Sequence, residues 1–213
     1  MVLGSHVIFC LYGFWLPNEQ RGSWSEFVGA WELLRFGRAT KTDTRRSVAG
    51  NRFDPARKAA AHAALRYPAV RLNGVQARAI ARGFADYVSQ SGISVLACAI
   101  LPQHVHMVIG RHTIHVEQVV NQLKAAATRR LIAEGVHPLA AFGSPPPRCR
   151  ARGLWKVFLD QQSDIERACG YVDDNPTKEG LPRQHWSMVQ PRVEIGLRTN
   201  DPNAMGRRRG FPV

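Results

Sequence analysis

The sequence predicts an α+β fold on the ferredoxin-like, split βαβ plan: an antiparallel sheet with two helices packed on one face and one added C-terminal helix. Three observations predict it. Short apolar runs alternate with segments of helical period in the order β-α-β-β-α-β-α. A Leu101-Pro102-Gln103 break between two apolar runs places an antiparallel hairpin at the centre of that order. The chain is 213 residues long with 45% apolar side chains, enough to bury one core and to exclude overall disorder.

Each element has its own signal. Val7 to Tyr12 is a short apolar run and reads as the first strand. Val75 to Ser91 sets Ile80, Phe84, Tyr87 and Val88 on one helical face. Ile93 to Ile100 and Val105 to Ile109 form the hairpin. Val116, Val119, Val120, Leu123 and Ala127 define a second helix, with a stop near Gly135. Trp155 to Leu159 is the fourth strand. The last helix is expected to open at Ser163, with Ser163 and Glu166 forming a capping box. It is expected to end at Asn175-Pro176, because proline disfavours helix in the residue before it.

The charge is large and uneven. The chain carries 29 Lys plus Arg against 16 Asp plus Glu, a net +13 that points to a polyanionic partner. Residues 37–73 hold +7, residues 148–156 hold +4 and residues 191–213 hold +3, so the remainder is close to neutral. The expected organisation is one domain over 1–190 with a basic insertion at about 37–73, then a basic tail over 191–213. Asp54-Pro55 and Gly50-Asn51 read as loop signals in the insertion. Cys10, Cys98, Cys149 and Cys169 lie far apart without a Cys-x-x-Cys pair, which argues against a zinc ribbon or a disulfide scaffold and for buried thiols. No apolar run has the length of a membrane span and the N-terminus lacks a signal-peptide pattern, so no membrane partner and a cytoplasmic location are expected.

The chemistry concentrates at two places. His104 and His106 flank Val105 at the start of the third strand, and side chains at i and i+2 share one face, so the two imidazoles project together. Such a pair is either a metal-binding pair lacking a third ligand or a pair of exposed or hydrogen-bonded histidines. On the last helix Ile165, Ala168, Cys169 and Val172 form the face to be buried, while Tyr171 and Asn175 stack one turn apart to its side. Tyr171 could be a boundary aromatic and Asn175 an ordinary helix-end residue; equally, an Asn oxygen could complete a metal shell with the tyrosine beside it.

These segments also carry a resemblance. Leu101-Pro102-Gln103-His104-Val105-His106-Met107-Val108-Ile109 resembles the "LP-x-HVH-hydrophobic" signature of the HUH single-tyrosine transposases, the insertion sequence 200/605-like group. Tyr171 to Leu181, with Asn175-Pro176 inside it, resembles the tyrosine segment of their REP-associated tyrosine transposase branch. Tyr12 to Pro17 with Arg21-Gly22-Ser23, and Trp155 to Asp160, are similar to two further stretches of that branch. Phe14 departs from the pattern, standing where the branch often has a small polar residue.

The resemblance implies a transposase, a DNA strand transferase that cleaves and rejoins single-stranded or hairpin DNA at palindromic repeats through a covalent 5′-phosphotyrosine. It assigns Tyr171 as nucleophile and His104, His106 and Asn175 as ligands of a divalent metal, Mg2+ or Mn2+. It allows a monomer or a homodimer. Arg111, His112, Lys124, Thr128 and Arg129 are expected to hold phosphates near the site, a solvated helix face being the alternative for those on the helix. Trp15, Trp24, Trp31 and Trp186 are candidate stacking surfaces for bases. Two other readings are a non-catalytic nucleic-acid binder on this scaffold, which RNA-recognition domains share, and an HUH relaxase or replication initiator. Neither an RNP-like aromatic strand nor a second adjacent tyrosine is visible in the sequence.

Overall fold

In the computed structural model, described for residues 1–16, 31–37 and 54–190, four strands form one sheet in the order β2-β3-β1-β4. The strands are β1 (Gly4–Cys10), β2 (Val95–Ile100), β3 (His104–Gly110) and β4 (Trp155–Leu159), and every named pairing is antiparallel. This is the expected ferredoxin-like arrangement. The helices are α1 (Pro55–Ala63), α2 (Gly74–Ser91), α3 (Val116–Ala133) and α4 (Gln162–Lys178).

The sheet is buried on both faces, which is why β2 and β3 read as unbroken apolar runs rather than as alternating ones. On one face Val7, Phe9, Val105, Met107 and Ile109 pack against Ile80 and Phe84 of α2 and Val119, Val120 and Leu123 of α3. The intervening residues Leu96, Ala97, Ala99 and Val108 point the other way and pack against Ile165, Ala168, Cys169 and Val172 of α4. That alternation is the period of two expected of strands, broken in β2 by an irregularity between Val95 and Ala97 that puts the adjacent Leu96 and Ala97 in one cluster. Gly83 lets α2 and α3 meet closely, since a Cβ there would lie 2.8 Å from both the Ala126 carbonyl oxygen and the Ala127 Cα. Cys98, Cys149 and Cys169 are buried free thiols and Cys10 is a half-buried one.

Local signals were partly misread in the sequence. Asp54-Pro55 is a helix start rather than a loop: the Asp54 carboxylate accepts from the Arg57 amide at 3.1 Å and proline occupies the first turn. The capping box lies on α2 instead of α4. There Asn73 accepts from the Gln76 amide at 2.9 Å and the Gln76 side chain accepts from the Asn73 amide at 3.1 Å. Helix α4 begins at Gln162 with Gln161 as its uncapped N-terminal flank, which leaves Ser163 inside the first turn. It also runs through Pro176 to Lys178. A proline so near the end forfeits one bond, and the final turn is closed by the Glu179 amide on Asn175 (3.2 Å) and the Leu181 amide on Pro176 (2.8 Å). Most of the basic insertion, the Arg21-Gly22-Ser23 stretch, Trp24 and the tail lie outside the described residues. Among the described residues no helix is long and apolar enough to cross a membrane.

Candidate active site

Beta pairing and the α4 crossing bring one cluster together on the α4 face. The register sets Cys10 opposite His104, Ile8 opposite His106 and His6 opposite Val108. Directly opposed residues share a face, so His6 joins His104 and His106 on the side covered by α4. The His104 and His106 ring centroids are 4.8 Å apart, edge to face. His6 stacks on His106 at 5.5 Å, with its Nε2 3.3 Å from His106 Nδ1.

Helix α4 delivers the other residues in one stripe. Tyr171 sets its ring edge-on to both His106 (5.6 Å) and His6 (5.8 Å). Two turns later Glu179, at the α4 cap, places Oε1 3.9 Å from His104 Nε2. Asn175 is one turn from each, and the i, i+4, i+8 spacing sets it on the stripe between them. It is 8% exposed, and its Nδ2 has no hydrogen-bond partner among the described residues. Tyr171 itself is 45% exposed, with the Lys178 ammonium 5.0 Å over its ring. A tyrosine standing beside buried histidines yet open to solvent is accessible to a polymeric ligand.

The electrostatics favour neutral imidazoles. Burial lowers the His6 pKa from 6.5 to about 4. His106 is lowered as well, by burial first and then by the neighbouring His104 and His6. A neutral ring keeps a lone pair, which is what a cation ligand requires. Among the described residues no three His, Cys, Asp or Glu side chains are grouped to hold a metal ion. The donor set on offer is therefore two imidazoles and one carboxamide. That set fits a divalent cation through the chemistry of its donors, the bare nitrogen of a neutral His106 and the Oδ1 of the Asn175 carboxamide, and its low charge leaves a phosphate welcome.

The predicted phosphate-binding residues do not gather here. Arg111 and His112 leave the far end of β3, about 20 Å from His104 at roughly 3.3 Å per residue. They line a groove with Met1, His115, Lys156 and Phe158, where Arg111 Nη1 donates to Met1 Sδ at 2.7 Å. Lys124 is a correction: it is not on the polar side of α3 but 8% exposed, donating to the Gly153 carbonyl at 2.6 Å and the Ala151 carbonyl at 3.3 Å. Burial lowers its pKa to about 8. Thr128 bonds back to the Lys124 carbonyl at 2.9 Å, and Arg129 is exposed on the α2–α3 side, across the sheet from Tyr171. Trp15 donates to Cys10 Sγ at 2.8 Å, and Trp186 packs on the core.

Two residues without an assigned role in the sequence border the cluster. Phe14 stacks on His104 at 5.1 Å with a 12° interplanar angle. His6 falls outside the strand as predicted, which began at Val7; extending that strand by one pleat would have put His6 in phase with Ile8 and Cys10.

Fold and site together define a ferredoxin-like sheet that presents a histidine pair to a tyrosine borne by the last helix, α4. The chain is similar in structure to a REP-associated tyrosine transposase bound to a REP hairpin, at 12% identity, covering 92% of this chain and 81% of that one, with a TM-score of 0.46. It is also similar to a candidate transposase of Deinococcus radiodurans, at 14% identity, covering 82% and 91% of the two chains, with a TM-score of 0.40. No family model and no curated protein matches the sequence.

Proposed function

We propose that the protein is a transposase, a metal-dependent DNA strand transferase in which Tyr171 attacks a phosphodiester of single-stranded or hairpin DNA at palindromic repeats. The observation that carries this reading is the contact of Tyr171 with His106 while its ring stays open to solvent. The motif resemblance and the net charge of +13 support it.

In the reaction, the bond from Tyr171 Oη to phosphorus forms as the bond from phosphorus to the 3′ oxygen breaks. The phenolic proton leaves and the 3′ oxygen gains one. The products are a 5′-phosphotyrosine and a free 3′-hydroxyl, and because the phosphodiester energy is kept, another 3′-hydroxyl can reverse the step and join new strands. His104, His106 and Asn175 would hold a divalent cation, Mg2+ or Mn2+. When bound, it supplies charge neutralisation at the non-bridging oxygens and an aid to ionising a phenol whose ordinary pKa is about 10. The chain's own groups orient the nucleophile: His6 and His106 flank the Tyr171 ring, and Lys178 lies over its face.

The test is a labelled single-stranded hairpin incubated with the protein and Mg2+ or Mn2+, followed by denaturing electrophoresis. The expected outcome is a covalent protein–DNA adduct that Tyr171→Phe abolishes. An equal adduct in the variant would remove Tyr171 as nucleophile. No adduct in either, with salt-sensitive binding kept, would favour a non-catalytic binder.

A further inference from the structure

His6 is a buried polar residue, 7% exposed, whose role so far is only to flank the Tyr171 ring. Its Nε2 lies 3.3 Å from His106 Nδ1 with the rings 29° from parallel. Trp155 meets its edge at 5.4 Å and Tyr171 at 5.8 Å, so its ring is held between neighbours on both sides.

Two neutral imidazoles that share a hydrogen bond must divide the roles, one nitrogen donating and the other accepting. The division fixes where His106 keeps its lone pair. If His6 donates, the His106 proton sits on Nε2 and that ring can ligate nothing further. If His106 donates from Nδ1, its Nε2 is bare.

We propose that His6 is a positioning residue for His106: it accepts the Nδ1–H of His106 and so leaves the Nε2 lone pair of His106 to ligate a divalent cation. This rests on the cation reading of the site given above. Ligating histidines generally donate their second ring N–H to a partner that sets the tautomer and the ring plane. A carboxylate is the common partner, but one buried here would bring a charge at a high desolvation cost. A second histidine performs the same task while keeping the site neutral. The packing of His6 on Tyr171 also ties the orientation of His106 to the place of the nucleophile.

The experiment uses the full chain. Long-range 1H–15N correlation spectra of the metal-free protein read the histidine tautomers, and calorimetric titration with Mn2+ alone reads affinity. Wild type is expected to show His106 protonated on Nδ1. His6→Phe keeps an aromatic ring but removes the acceptor; it is expected to release that tautomer and weaken Mn2+ binding roughly 10- to 100-fold, the usual effect of losing such a partner. His6→Gln returns an acceptor oxygen and is expected to recover the affinity to within a few-fold, an outcome that mere packing would not produce. A His106 found protonated on Nε2 overturns the proposal, as does Mn2+ affinity unchanged in a folded His6→Phe, or one that His6→Gln fails to restore. Wild-type protein that takes up no Mn2+ overturns the cation reading itself, whichever tautomer the spectra show.

Discussion

His106 sits among His104, His6 and Tyr171, and burial keeps it and His6 from protonating. The sign for stability follows from linkage. Below pH 6.5 the unfolded chain protonates these histidines while the folded chain resists, so the unfolded state binds more protons and stability falls as pH drops. For His6 the loss runs from about pH 6.5 down to about 4, and each unit of difference is worth about 1.4 kcal/mol. In metal-free protein the melting temperature is therefore expected to decline across that window, and His6→Phe to flatten the decline; a pH-independent melting temperature would contradict the buried neutral state. His106→Ala is expected to reduce hairpin cleavage at least 100-fold while changing DNA affinity only slightly, checked by cleavage and gel-shift assays on the same preparation. At this scale the sequence was legible where spacing is local. His104 and His106 share a face by a period of two, and Tyr171 and Asn175 share a stripe by a helical turn. His6 and Lys124 were not legible in that way. The first needed the register of β1 on β3, and the second needed the Ala151 and Gly153 carbonyls, 27 and 29 residues away, that turn a charged helix position into an interior one.

Helix α4 shows how local signals lose to packing. Its buried stripe of Ile165, Cys169 and Val172 lies on β2 and β3, and that packing carries the helix past Pro176 and sets its start without the expected cap. Residues beyond the proline matter to the site, because Lys178 covers Tyr171 and Glu179 approaches His104. The four strands, the two helices on one face and the added helix were readable because runs of one period survive errors at their ends. Helix α1 was missed because Asp-Pro serves both as a turn and as a helix start. The α2–α3 packing gives the sharpest stability test at this scale. Gly83→Ala would push a methyl against backbone at Ala126 and Ala127, which neither partner can yield cheaply, and is expected to cost about 1–3 kcal/mol by denaturant unfolding. Gly170→Ala in α4 meets nothing within 4 Å and should be neutral or stabilise by up to about 1 kcal/mol. If both substitutions behaved alike, close helix approach would not be what Gly83 provides.

Across the whole molecule, the excess positive charge is not all available to DNA. In the 148–156 segment, the Arg150 backbone forms an isolated antiparallel bridge with Leu11, just past β1, and its side chain is mostly withdrawn from solvent, while the Lys156 ammonium is bonded to Glu117. Only Arg148 and Arg152 of its four cations are exposed. The first basic segment is different. Arg57, Arg66 and Arg71 are exposed, and the chain after them is pinned to the core where the Val70 amide meets the Tyr12 carbonyl at 2.9 Å and the Leu72 amide meets the Pro102 carbonyl at 2.8 Å. Pro102 lies in the turn that leads into His104, so this segment is anchored at the mouth of the histidine site. Removing residues 37–73 whole would take Val70 and Leu72 from the core, and charge substitution is the cleaner probe. If these arginines grip phosphates, replacing Arg66 and Arg71 with Gln should lower the slope of log affinity against log salt by about 0.7 for each single-strand phosphate left without its arginine. Cleavage at saturating hairpin should change little, since neither side chain touches Tyr171 or the histidines. Arg129→Gln, on the face across the sheet, should leave the slope as it was. The reverse pattern, a slope set by Arg129 and indifferent to Arg66 and Arg71, would put the DNA on the α2–α3 face and away from Tyr171, and the strand-transfer reading would fall with it.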